Sequence, residues 1–162
     1  MPTDSNTKGR PFPVALVGLA CRFPGAADVA DFWSLLKAGT DAVGEIPDDR
    51  WDVDAHFHPD PAKPGKMYTR AGGFIADIDK FDAGFFGISP REARRIDPQQ
   101  RLLLELTWEA FESADIVPAR IALSQAGVFV GISVSDYAAL QREEPDRVDP
   151  YVMSGSSRCS AA

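Results

Sequence analysis

The chain is 162 residues long, 44% hydrophobic and 25% charged, which suits one globular unit with a core of its own. A formal net charge of −7 argues against nucleic acid as a partner, because an acidic surface repels phosphate. Two cysteines, Cys21 and Cys159, supply neither metal spacing nor a disulfide framework. The polar first ten residues lack the apolar core of a secretion signal, and no stretch approaches the roughly 20 apolar residues of a membrane helix, so a cytoplasmic protein is expected.

In chain order, residues 1–12 read as a flexible leader and 13–162 as the structured part. Pro13–Leu19 is a continuous apolar run, the pattern of a strand buried on both faces, and Pro24-Gly25 marks a turn after it. A helix is predicted next: Asp28 can cap its N-terminus, Asp31 sits in its first turn, and Gly39 stops it. Val29, Phe32, Trp33 and Leu36 recur along it at helical spacing.

Residues 40–88 contain Pro47, Pro59, Pro61 and Pro64 and aromatic residues without a period. They predict a long, largely irregular excursion, anchored by Trp51, Phe57, Tyr68, Phe74, Phe81, Phe85 and Phe86. Ser89–Glu92 fits a capping box with Pro90 at the first helical position, and Asp97-Pro98 repeats that device. The helix that follows, from Gln99 to about Ser113, is apolar on nearly every side and should be central and buried. Gly127–Ile132 predicts a second buried strand, Val134–Gln141 a short helical turn, Glu143–Asp149 a charged loop, and Ser154–Ser157 a turn into a further helix.

No complete catalytic constellation emerges from these elements. Gly18–Gly25 follows a predicted strand but lacks the Gly-Lys-Ser/Thr ending of a phosphate loop and the glycine spacing of a dinucleotide site, so it reads as a structural turn. His56 and His58, with Asp52, Asp54 or Asp60, have the residue types of a metal site. No further soft ligand lies nearby, and solvated loop histidines account for them. Cys159 stands before a predicted helix, where a thiol pKa can fall, yet no histidine lies near in sequence to take its proton; a small packed cysteine explains it better, and Cys21 better still. Arg94, Arg95, Arg101 and Asp97 form a charged knot. Its arginines could grip a phosphate or carboxylate, but Arg94 or Arg101 pairing with Asp97 to fix an interhelical angle is the commoner arrangement.

The blocks in order identify a family. Val14–Gly25, Asp31-Phe-Trp33, Ile46–Trp51, Gly72-Gly-Phe74, Phe81–Ala93, Asp97–Leu104 and Gly127–Ile132 resemble successive motifs of the ketosynthases of modular, type I polyketide synthases. The run Ser89–Glu112 closely resembles a signature of those enzymes. The resemblance implies the N-terminal part of a thiolase-like α/β fold, with buried strands, packed helices and a long excursion. It implies an enzyme that takes an acyl chain from the phosphopantetheine arm of an acyl carrier protein onto a cysteine, then decarboxylates a malonyl-type extender and joins the two. Family ketosynthases are dimers.

The family nucleophile lies in a Thr-Ala-Cys-Ser-Ser-type motif. Cys159, in Ser157-Arg-Cys-Ser-Ala161, falls upstream of its place, and neither His56 nor His58 matches the family histidines. The resemblance therefore assigns no catalytic, cofactor-binding or metal residue to this chain, and phosphopantetheine belongs to the carrier partner. Residues 1–162 alone are expected to be inactive, and marginally stable or aggregation-prone, because the strands at Val14 and Val128 would lack their partners. A second reading makes the chain a non-catalytic module that binds a carrier protein or another ketosynthase through residues 40–88. A third makes Cys159 the nucleophile of an independent hydrolase.

Overall fold

A computed structural model describes residues 13–122, 124–134, 136–142 and 150–157. The expected leader 1–12 and the charged loop 143–149 lie outside the described residues. The elements are short, and local signals set most of them. Helix α1, Val29–Ala38, starts where the Asp28 carboxylate accepts the Asp31 N–H at 2.8 Å and stops at Gly39, whose φ of 63° is left-handed. Phe32 stacks on Phe23 at 4.3 Å between ring centroids, which fastens α1 to the preceding turn.

The excursion is more ordered than its composition suggests. Strand β1, Gly44–Glu45, pairs antiparallel with β2, Ala71–Gly72, and α2, Val53–His56, lies between them, capped by Asp52. Trp51 meets Phe74 edge to face at 6.0 Å, Phe81 stacks on Phe86 at 5.4 Å, and Phe85 reaches Trp108 at 4.7 Å. Tyr68 is not among the anchors: it is 67% exposed.

Helix α3, Pro90–Ala93, is capped by Ser89 accepting the Glu92 N–H, and α4, Pro98–Ser113, by Asp97 accepting the Gln99 N–H at 2.9 Å. Each cap satisfies an amide that the first helical turn leaves without a partner, a contribution of about 1 kcal/mol. Past its C-cap Ala114, α4 ends at Asp115 with φ 53°, a left-handed position that Asp tolerates. The short α5, Pro118–Ile121, follows, then α6, Asp136–Arg142, and α7, Pro150–Ser156.

Three expectations are corrected here. The segments 13–19 and 127–132 are not buried strands: neither enters a sheet, and Val14 and Phe129 are 94% and 96% exposed. An apolar run encodes the wish to be buried in a sheet, but a strand exists only when a neighbour completes its ladder, and among the described residues neither run finds one. Helix α4 is only half buried along its length, and its single fully buried residue is polar Gln100. Ser154–Ser156 is not a turn but the end of α7, because the helical pattern starts at Pro150 instead; the helix expected after Ser157 lies outside the described residues.

Gly18 shows how segment 13–19 is seated. A Cβ there would lie 2.3 Å from the Ala110 carbonyl oxygen and 2.8 Å from the Ala114 Cβ, so the backbone rests directly on the last turn of α4. The buried apolar residues among those described are few, Ala26, Ile46, Ile96 and Ala138, and the last two flank a polar corner.

Candidate functional site

That corner joins the α3–α4 junction to α6 and α7. Its buried polar residues are Asp97, Gln100 and Gln141, with 5%, 6% and 8% of their surfaces exposed. Burial of side chains this polar is tolerated only with hydrogen-bond partners. The Asp97 N–H donates to the Gly155 carbonyl at 2.9 Å, and Gln100 Nε2 donates to the Ser157 carbonyl at 2.9 Å. Gln141 Nε2 donates to the Arg95 carbonyl at 3.1 Å, and the Tyr137 hydroxyl to the Arg94 carbonyl at 2.6 Å. Gly155 is required there by space: a Cβ would stand 2.2 Å from the Arg95 carbonyl oxygen.

At Asp97 the predicted charged knot is held by hydrogen bonds. Asp97 directs its carboxylate to the α4 cap, and among the described residues no ion pair joins it to an arginine. Arg101 points its guanidinium to the Asp79 carbonyl at 3.5 Å. Gln100, Tyr137, Gln141 and Gly155 were not singled out by sequence reasoning. The available signals were the glutamine pair after Asp97-Pro98 and a glycine inside a helical stretch, which commonly marks close packing.

A second feature lies in the excursion. Arg70 donates to Glu45 at 3.2 Å and to Asp54 at 2.7 Å, and its guanidinium lies 5.1 Å from the centre of the Phe57 ring. The hydrogen bond to Asp54, then that to Glu45, raises the Arg70 pKa above its ordinary range. Beside this cluster lies an open groove of about 690 Å³, bordered by Trp51, Asp48 and Asp52 among others. His56 is exposed at the end of α2, and His58 Nδ1 accepts the Asp60 N–H at 3.1 Å, which turns that nitrogen inward to its own loop. Among the described residues no three His, Cys, Asp or Glu side chains gather as a metal site would need. Cys21 is a half-buried free thiol, and Cys159 lies outside the described residues.

Arg22 ties the turn after segment 13–19 to α4 with a two-pronged contact to Glu109, one prong at 2.8 Å. That hydrogen bond is the main reason the Arg22 pKa is raised. Among the described residues no helix is long and apolar enough to cross a membrane.

A solved ketosynthase domain of oxazolomycin biosynthesis, OzmH KS7 of Streptomyces albus JA3453, is similar to the chain with a TM-score of 0.83 and 41% identity, over 91% of this chain and 26% of that one. The fold is the α/β, thiolase-like fold of the ketosynthases, of which this chain carries the N-terminal part. The family model of the beta-ketoacyl synthase N-terminal domain matches residues 12–162, and the chain belongs to that family.

Its relatives are polyketide synthases. The chain is 54% identical over 147 residues to polyketide synthase GfsB of Streptomyces halstedii, covering 90% of this chain and 3% of that protein. It is 47% identical over 150 residues to a phenolphthiocerol/phthiocerol polyketide synthase of Mycobacterium tuberculosis, covering 92% of this chain and 8% of that protein. The chain therefore spans a small fraction of the length of the curated relatives it matches.

Proposed function

We propose that this chain supplies the N-terminal part of a polyketide ketosynthase that condenses an acyl thioester with a malonyl-type extender carried on acyl carrier protein. An acyl group passes from the carrier's phosphopantetheine sulfur to an enzyme cysteine. The extender then loses carbon dioxide, and its carbanion attacks the enzyme thioester, forming the carbon–carbon bond and releasing the cysteine thiolate. Phosphopantetheine enters as the carrier's substrate arm, and this chain binds no cofactor of its own. The family match over residues 12–162 is the observation that carries the reading.

The reading also assigns a partner to the bare segments 13–19 and 127–132. They take their sheet neighbours from the remainder of the ketosynthase, which is a homodimer when complete. Without those neighbours residues 1–162 do not catalyse. The test is to incubate the intact ketosynthase polypeptide, and separately residues 1–162, with an acyl thioester and a malonyl-loaded carrier protein and to follow both by mass spectrometry. Acylation and condensation by the intact protein alone are expected; acylation of residues 1–162, or none of the intact protein, overturns the reading.

A second reading, a non-catalytic docking module, is favoured by the self-contained excursion and its open groove beside Arg70. It predicts capture of a carrier protein by residues 1–162 without acyl loading. Replacing Trp51 and Asp52 should abolish that capture, and loss of neither affinity nor yield would discard this reading.

A further inference from the structure

We propose that Gln100 and Gly155 form a positioning latch for acyl transfer, setting the direction in which the chain leaves α7. The proposal rests on the ketosynthase reading above, in which the nucleophilic cysteine follows Ser157 in chain order. Three observations carry it.

The most buried polar side chains among the described residues, Asp97, Gln100 and Gln141, meet at one corner. Apolar packing tolerates repacking, whereas an amide-to-carbonyl bond holds only within a narrow range of distance and angle. Next, the first turn of α4 and its cap hold the departing chain at two carbonyls, Gly155 through the Asp97 N–H and Ser157 through Gln100 Nε2. One bond would fix proximity; two bonds so near each other along the chain fix direction. Last, Gly155 lets α7 close on the Arg95 carbonyl, where any Cβ would stand 2.2 Å from oxygen and push the helix away.

Gln100 is a positioning residue, acting through the backbone it holds. Gln141 is the natural control. It is as buried as Gln100 and belongs to the same corner, but its amide donates to Arg95 and not to residues 155–157. Gln141 Oε1 is buried without a partner, so the two variants can differ in their melts; the latch makes them differ in kcat per folded molecule.

The experiment uses the intact ketosynthase polypeptide and measures its self-acylation by hexanoyl-N-acetylcysteamine, as kcat and KM separately, with a thermal melt of each variant. Gln100→Met should lower kcat roughly 10-fold, the factor that the loss of one such hydrogen bond supports, with KM within about twofold. Gln141→Met should leave kcat per folded molecule within about twofold of wild type, whatever its melt. Gly155→Ala should reproduce the fall in kcat, and the double variant with Gln100→Met should be no worse than the poorer single, because both release one latch. Equal behaviour of the two glutamine variants, or a loss confined to KM, overturns the latch. If Gln100→Met does not fold, Gln100→Asn, which keeps the amide on a shorter stem, is judged by the same comparison. Failure of the wild-type protein to load at all overturns the ketosynthase reading instead.

Discussion

Replacing Gly18 by alanine tests whether segment 13–19 lies on α4 as described. The added Cβ would meet the Ala110 carbonyl oxygen at 2.3 Å, the Ala114 Cβ at 2.8 Å and the Ala114 nitrogen at 3.2 Å. Two of these atoms are backbone, and the Ala110 carbonyl already accepts the Ala114 N–H at 3.1 Å at the end of the helix. No rotamer change relieves the clash; the segment must lift or the helix end must fray. Overpacking of this kind costs about 1–3 kcal/mol. The shift is about 2–4 °C per kcal/mol for about 150–250 residues and shrinks with length, so in the longer ketosynthase polypeptide the melting temperature should fall measurably and by less than about 12 °C. The assay is thermal unfolding of the ketosynthase polypeptide followed by tryptophan fluorescence, with Gly44→Ala alongside. Gly44 has nothing within 4 Å of its virtual Cβ, so that substitution should stay within about 0.5 kcal/mol of wild type. A Gly18→Ala melt indistinguishable from that of Gly44→Ala would refute the packing of segment 13–19 against α4.

The Arg22–Glu109 contact should give a coupling of about 0.5–1 kcal/mol in a double-mutant cycle of Arg22→Ala and Glu109→Ala, since both groups are partly solvated. Because Glu109 raises the Arg22 pKa, the arginine's part of this coupling is present below its ordinary range and is lost only as pH rises through the raised value, leaving it flat across neutral pH; titration of the coupling near neutrality would contradict this. Asp28→Ala should destabilise by about 1 kcal/mol through the lost α1 cap, with Asp28→Asn milder, as read from urea midpoints. Phe129→Ser should reduce light scattering by residues 1–162 at unchanged stability, because a side chain 96% exposed contributes nothing to the folded core; a fall beyond about 0.5 kcal/mol would show that it does.

What could be read from the sequence was whatever neighbouring residues decide. The span of α1 from Asp28 to Gly39 and the starts of α3 and α4 follow from caps, prolines and a glycine acting over one helical turn. The order of motifs sufficed to place the chain in its family, because that signal is spread over most of its length. Segments 13–19 and 127–132 were misjudged because a ladder is a long-range partnership that an apolar run cannot specify. The corner escaped for a related reason. Gln100 and Gln141 look like solvated helix residues until the Ser157 and Arg95 carbonyls, distant in sequence, arrive to accept from their amides. The charged knot was placed correctly around Asp97 but given ionic bonds, since charge is visible in a sequence and a backbone carbonyl is not.

The pairing of Gly44 with Gly72 and of Glu45 with Ala71 means that the chain leaves and returns at one point on the surface. Residues 46–70 therefore behave as a cassette with adjoining ends. A related synthase's counterpart can be spliced across the same two-residue ladder without altering the distance the rest of the chain must span. Three fastenings limit such an exchange. Arg70 must still meet Glu45, Arg50 must still reach the Ile75 carbonyl, and Trp51 must still face Phe74, so a transplanted segment has to bring two arginines and an aromatic ring to those places. Within those terms the groove beside Arg70 can be recut while the corner at α3, α4, α6 and α7 is left alone.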